Sequence, residues 1–404
     1  MSSRTAAEWA ANPPVPDTHY VSGTVYRDDE IYADERDKIF GRLWTVAAHE
    51  SEVPEPHDFR TYDYAGTPLV IVRGADRRIR TFLNVCPHRG AKLVNEPSGN
   101  AKTFVCFYHY WSFNTEGACI NIPRPEGYDG TGLDPSKCGL REVRTETRLG
   151  LVFVNLSDDA GSLDAFLGTA LDPFRQCLGD APLEVFHFQR SVIRANWKAW
   201  METNMDSYHA IMHVVLRKTQ VDAARRIQLH DNGHVTTGGI KAEYDKYKGW
   251  GDRDSSLALP GLATDELRVC NIFPNCTIIT RGTVMRIDTV TPLGPHEVAV
   301  ESRGLGFKGD SEADRMARIR HHNQYWGPFS RNWPEDAFAA EACEKTFSTG
   351  AAKHQIIARE ENARGQDDVT MRVFYAEWSK LTGRPAHNPS NRPSNQPPNA
   401  GARS

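Results

Sequence analysis

The chain has 404 residues, 25% charged and 39% hydrophobic, enough for two domains and for a core that needs no disulfide staples. Its 48 Lys and Arg nearly balance its 52 Asp and Glu, and the net charge of -4 argues against a nucleic-acid binder, which would carry a basic surplus. No run approaches the ~18 apolar residues of a membrane span, and the first residues have no apolar core of a secretory signal, so the expectation is a soluble, cytoplasmic protein with no membrane partner.

Residues 1–35 are polar and Pro-punctuated, with a helix predicted over 29–44. From Phe59 the run FRTYDYAGTPLVIVR alternates β-branched and aromatic residues around Ala65-Gly66 and predicts a hairpin. The runs IRTFLNV, KTFVCFY and LGLVFVNL continue as strands, separated by turn signals such as Pro97-Ser98-Gly99-Asn100 and Glu126-Gly127. This predicts an all-β unit over 36–158. A mixed unit over 159–385 follows, with helices predicted over 163–178 (broken at Asp172-Pro173) and 197–217. Strands are predicted within 271–307, among them NCTIITR, TVMRIDTVTP and VAVESRGLGF. Further helices are predicted over 311–326, 334–361 and 370–381, and the Pro/Asn/Ser-rich stretch 386–404 reads as a disordered tail.

Eight scattered cysteines do not suggest a disulfide framework. Two of them lie beside histidines: Cys86-Pro87-His88 and Cys106-Phe107-Tyr108-His109. Two Cys and two His can hold zinc or an iron–sulfur cluster. Zinc sites usually group like ligands, whereas here each arm carries one of each, which suits a [2Fe–2S] cluster with two Cys on one iron and two His on the other. Each arm sits between strand-like runs and is expected at a hairpin tip, within reach of an electron donor. A second constellation lies in the predicted helix 197–217, where His209 and His213 are four apart and share a face. With one carboxylate they would form a 2-His-1-carboxylate triad for iron, which leaves neighbouring coordination positions open. An isolated H-x-x-x-H is weak evidence, because solvated histidines are common, and the absence of HEXXH removes a zinc-protease reading.

Together these motifs carry a family resemblance. CPHRG followed by CFYHYW resembles the Rieske motif of ring-hydroxylating oxygenases, and NWK followed by E-x-x-x-D-x-Y-H resembles that family's iron-site motif. Two details depart from the family: Thr203 stands where an Asn is frequent, and three residues rather than four separate the histidines. The stretch Gly327-Pro328 to Glu335-Asp336 resembles the segment that supplies the carboxylate, which places the third ligand at Asp336, with Glu335 as the alternative. The resemblance covers roughly residues 36–385 and implies an α+β chain, with an all-β Rieske domain and a catalytic domain built as a helix-covered antiparallel sheet. It implies a terminal oxygenase with a Rieske [2Fe–2S] cluster on Cys86, His88, Cys106 and His109, and mononuclear Fe(II) on His209, His213 and Asp336. It further implies a reductase or ferredoxin donor, O2 as co-substrate, and a homotrimer, with or without a small β subunit. Asp206 then bridges His109 of one subunit and His209 of the next.

Within the resemblance, Phe273-Pro274-Asn275 favours an aromatic substrate, carboxylated or not, and Met205, Ile211, Phe273 and Trp326 are candidates for the apolar substrate wall. Arg281 and Arg286 could bind a substrate carboxylate, although surface pairing is the favoured reading, and His321-His322 is expected on a solvated helix face. The rivals are a demethylating or quaternary-amine monooxygenase, an electron-transfer Rieske protein without an oxygenase site, and a zinc-stapled binding protein.

Overall fold

Asp58–Tyr64 and Thr67–Arg73 pair antiparallel around Ala65 (φ 47°) and Gly66 (φ 86°), the two left-handed residues that a tight, right-twisted hairpin favours. The computed structural model describes residues 3–178, 181–213, 226–241, 258–263 and 266–391. Its first unit is a seven-stranded sheet of β1 (Thr45–His49), β2 (Asp58–Tyr64), β3 (Thr67–Arg73), β4 (Ile79–Leu83), β5 (Ser98–Asn100), β9 (Glu142–Arg148) and β10 (Leu151–Asn155), in the order β1-β10-β9-β4-β3-β2-β5. A three-stranded sheet of β6 (Thr103–Val105), β7 (Ser112–Asn114) and β8 (Cys119–Asn121) stands beside it. Strand β3 is buried on both faces, which explains its unbroken apolar run. Leu69 and Ile71 join the core shared with the second unit, while Val70 and Val72 join the core that holds Cys86 and Cys106.

The second unit is a seven-stranded antiparallel sheet in the order β11-β17-β16-β15-β14-β13-β12. Its strands are β11 (Leu183–Ile193), β12 (Arg226–Leu229), β13 (Val235–Lys241), β14 (Glu266–Ile272), β15 (Cys276–Arg281), β16 (Val284–Gly294) and β17 (Glu297–Phe307). One face packs Ile278, Met285, Ile287 and Leu305 against Trp44, Val46, Leu151 and Phe153 of the first unit. The other face packs against helices α1 (Trp197–Met205), α2 (Glu312–Tyr325), α3 (Trp333–Phe347) and α4 (Val369–Thr382). No helix among the described residues is long and apolar enough to cross a membrane.

Polar groups bind the two units together. Asn275 accepts the Val46 N–H and donates to the Val46 carbonyl, both near 3 Å, so the FPN run serves the contact between units. Arg60, Glu52, Arg303 and Glu301 form a buried, charge-balanced cluster across the same contact, with Arg303 held by Glu52 at 2.6 Å and by Glu301 at 2.6 Å. Removing one member of such a cluster strands a charge, which costs about 3–5 kcal/mol. Arg303→Met is therefore expected to lower the unfolding free energy measured by denaturant titration by an amount of that size, and an unchanged value would deny the cluster its role.

The N-terminal segment lies on the second unit: Tyr20–Ser22 pairs with His354–Ile356, and the Tyr26 hydroxyl donates to Glu202 at 2.7 Å. The NWK run is explained by burial. Asn196 caps α1 by accepting the Lys198 N–H, while Lys198 and Trp197 both hydrogen-bond Glu35.

Several expected boundaries move. The helix predicted over 29–44 is α-helical only for Asp29–Glu35 and then widens to a π turn over Arg36–Phe40. The one predicted over 334–361 ends at Phe347, beyond which His354–Ile356 is the strand that covers the N-terminal segment. Within residues 386–391, expected in a disordered tail, Ala386 and Pro389 are buried and the Ala386 carbonyl accepts the Ser22 N–H. Residues 392–404 lie outside the described residues.

Candidate metal centres

The first centre is built from two copies of one turn. The Gly90 N–H bonds the Cys86 carbonyl at 2.9 Å, and the Tyr110 N–H bonds the Cys106 carbonyl at 2.8 Å. Both closing residues are left-handed, at φ 72° and 60°. Glycine does this without strain, whereas Tyr110 has to be held there by the turn. The turns bring the two thiols into mutual contact and the two imidazoles to 4.5 Å between ring centres, with His88 stacked on Trp111. Burial and the neighbouring Cys106 sulfur push the Cys86 thiol up, so Cys86 stays protonated unless a cation takes its sulfur. The Nδ1 atoms of His88 and His109 are buried without a hydrogen-bond partner. Two adjacent sulfurs and two orphaned imidazole nitrogens are the donor set of a Rieske cluster. Among the described residues these four do not converge as ligands of one ion would, which disfavours zinc.

The second centre departs from the expected helix. The α-helix ends at Met205, because Asp206 turns extended and its carboxylate takes the Tyr208 N–H at 2.6 Å. Such a side-chain turn competes with helix. His209 then sits in a short 3-10 turn, Tyr208–Met212, and His213 closes it. Residues 214–217 of the predicted helix lie outside the described residues. From the other side α3 opens with Pro334 in its first turn and brings Asp336 inward.

The result is a triangle. His209 Nε2 and His213 Nε2 lie 3.2 Å apart, and each is 3.3 Å from Asp336 Oδ1. Three donors at about 2.1 Å on one face of an octahedral ion would lie about 3 Å apart, so the triangle fits a facial triad. Among the described residues it is the one group of three whose donor atoms lie within 4.8 Å of one another. Asp336 Oδ1 is buried without a hydrogen-bond partner, as an atom reserved for a metal would be. Glu335, the alternative ligand, instead contacts His213 Nδ1 at 2.8 Å. A carboxylate there accepts a hydrogen bond from Nδ1–H and leaves the Nε2 lone pair facing the triangle. Burial opposes charge at both imidazoles. At His209 the carboxylates of Asp336 and Asp206 outweigh burial and raise the pKa, whereas at His213 burial prevails and lowers it. Asp206 Oδ2 lies 3.8 Å from His209 Nδ1.

A family model described as the Rieske [2Fe-2S] domain matches residues 43–137, and one described as the ring hydroxylating alpha subunit catalytic domain matches residues 180–381. The α subunit of 2-aminobenzenesulfonate 2,3-dioxygenase from Alcaligenes sp. is 45% identical over 95% of this chain and 99% of its own length. The chain belongs to the family of Rieske ring-hydroxylating oxygenase α subunits. Its cofactors are accordingly a Rieske [2Fe–2S] cluster and a mononuclear iron. The methanesulfonate monooxygenase hydroxylase α subunit of Methylosulfonomonas methylovora is 38% identical over 96% of this chain and 97% of its own. Naphthalene 1,2-dioxygenase from Rhodococcus sp. shares the fold at TM-score 0.79 and 22% identity, over 90% of this chain and 94% of that one.

The substrate-wall candidates scatter. Ile211 is 71% exposed and so forms no buried wall. Met205 and Phe273 lie in the main core, Phe273 against Phe374 of α4, while Trp326 belongs to a smaller cluster with Tyr325 under the sheet. The surface readings of Arg281, Arg286 and His321-His322 are corrected, because all four are buried on the helix-covered side. Sequence reasoning misplaced them because an arginine in a strand or a histidine in a polar helix reads as solvated. The signal that could have found Arg286 is its i, i+2 spacing to Asp288, which puts both charges on one sheet face.

Proposed function

We propose that this chain is a terminal oxygenase that hydroxylates an aromatic acid with O2, fed by a separate reductase or ferredoxin. The observation that carries the reading is the triangle of His209, His213 and Asp336, with Asp206 beside His209. Two relatives named for sulfonates support an acid as substrate. The division of labour we propose is electron transfer in residues 36–158 and oxygen chemistry in 159–385, with residues 1–35 packed on the latter. When bound, the cluster supplies single electrons and the iron supplies dioxygen activation.

The chain's own residues prepare that chemistry. Cys86, His88, Cys106 and His109 would hold the cluster. His209, His213 and Asp336 would hold the iron from one side and leave the other side for O2 and substrate. Glu335 fixes the His213 ring. Asp206 faces His209 Nδ1, the nitrogen on the far side of the ring from the triangle.

The molecule supports transfer between subunits. Around His109 the tip exposes Phe107 (66%), Tyr108 and Tyr110 (65%), an apolar group that exposed tips of monomers rarely carry. Beside Asp206 and His209 an open depression of about 580 Å³ is walled by Tyr208, Met212, Ala339 and Phe347. A homotrimer, with or without a small β subunit, would seat the partner subunit's His109 there, with Asp206 between the two imidazoles. Eight unpaired cysteines support a cytoplasmic setting.

The test is reductase-dependent O2 uptake coupled to product, across aromatic sulfonates, aromatic carboxylates, neutral aromatics, methanesulfonate and quaternary amines. Coupled turnover of an aromatic acid is expected. Turnover confined to methanesulfonate or to quaternary amines would overturn the substrate class.

A further inference from the structure

The helix-covered face of the second sheet carries a row of residues that the metal centres do not use. Arg286 on β16 lies opposite Gly304 on β17, which lies opposite His187 on β11. Directly opposed residues share a face. His322 of α2 fills the space over Gly304, where a Cβ would come within 2.7 Å of its imidazole. The His187 and His322 rings lie 4.6 Å apart, and the Trp326 ring sits 5.1 Å from the Arg286 guanidinium.

His322 is fully buried, yet neither ring nitrogen has a hydrogen-bond partner. Arg286 is 1% exposed, and its Nε is likewise unpartnered. Its Nη2 donates to Asn204 at 2.9 Å and pairs with Asp288 at 3.0 Å. Buried polar groups are nearly always satisfied, so three orphaned nitrogens in one row call for a ligand that completes them. Burial, His187 and Arg286 together hold His322 neutral, so that it can offer one N–H without adding charge.

The row also reaches the iron triangle. Asn204 lies on α1, two residues before Asp206. On the other side Asp288 accepts from Ser302, which accepts from Trp333, the first residue of the helix that carries Asp336.

We infer that Arg286 and His322 form the specificity site for an anionic, oxygen-bearing group of the substrate, a sulfonate or a carboxylate. The inference rests on the oxygenase reading above and names the residues behind its substrate class. The guanidinium supplies Nε–H as a charge-assisted donor, His322 supplies a neutral one, and Asn204 and Asp288 hold the arginine in place. A quaternary ammonium head would meet the like charge of the buried Arg286 guanidinium, which sets this site against the amine-oxidising alternative.

The test is calorimetric binding to the iron-replete holoenzyme under anaerobic conditions. The probes are benzenesulfonate against benzenesulfonamide, and benzoate against benzamide, pairs that differ mainly in charge. The anion of at least one pair is expected to bind roughly 10- to 100-fold more tightly than its amide, and the tighter pair identifies the group. His322→Leu removes two unsatisfied nitrogens and should fold at least as well as the parent. It is expected to lose about tenfold for the anion and little for the amide. The paired change Arg286→Gln with Asp288→Asn avoids a stranded carboxylate and should abolish the discrimination. Equal binding of anion and amide by the parent, or discrimination that survives both variants, would overturn the inference. Discrimination that His322→Leu removes, in a protein that turns over no aromatic compound with O2, would uphold the anion site and overturn the oxygenase reading instead.

Discussion

His209→Ala is expected to empty the second centre and leave the first intact. The triangle keeps His213 and Asp336 but loses the nitrogen that is 3.2 Å from one and 3.3 Å from the other. Two donors on a partly open face hold divalent iron poorly, so iron should fall from about three to about two per chain, the two being those of the cluster. The visible spectrum should not change, because Cys86 and Cys106 lie in another core, and His88 and His109 stand on the same two turns. Product formation should be abolished. The structural cost should be small, because His209 lies in a short turn at the surface of the unit and packs in no apolar cluster. A variant that kept its third iron or still hydroxylated substrate would show that the ligand set is wrong.

The second large effect is expected at Asp206. Asp206→Ala should keep all three irons and the spectrum, since Asp206 is 3.8 Å from His209 Nδ1 and contributes no atom to the triangle. Product formation should nevertheless fall about 100-fold or more, the scale on which small misplacements of a reacting pair act. Asp206→Asn separates the two things this residue does. An amide oxygen can still accept the Tyr208 N–H and preserve the turn, but it lacks the charge that faces His209. If the asparagine variant is as slow as the alanine variant, the charge matters. If it recovers, the turn matters. Reduced cluster that persists in the presence of O2 and substrate would locate the block between the centres, whereas normal turnover in both variants would remove Asp206 from the path.

Much of the first centre was legible because its four candidate ligands lie in two short arms, and each arm needs only a turn to position itself. The second centre was legible in pieces. His209 and His213 announced themselves by spacing, but the helix expected to align them is not there. Asp206 breaks it with its own carboxylate, and a 3-10 turn does the aligning. Asp336 is over a hundred residues away, and no local rule connects it to His213. Only the resemblance did so, and in the structure Asp336 meets His213 Nε2 while Glu335 meets Nδ1. The strand β11 went unread because its apolar positions are diluted by His187, Gln189 and Arg190 along a half-exposed edge. The buried row of Arg286 and His322 escaped for the opposite reason. Charged and polar residues are mostly exposed, so burial of an arginine is visible only once the sheet and its covering helix are both in place.

Transfer between subunits is most directly tested by mixing two inactive chains. His109→Ala lacks a complete cluster, and Asp336→Ala lacks a complete iron site, so each alone should be inactive. In a randomly mixed cyclic oligomer roughly one junction in four would set an intact cluster beside a neighbour's intact iron site. Recovery of product formation to about that fraction of the parent is expected after co-assembly. Hybrids that form, retain both metals on their intact chains and still make no product would contradict it.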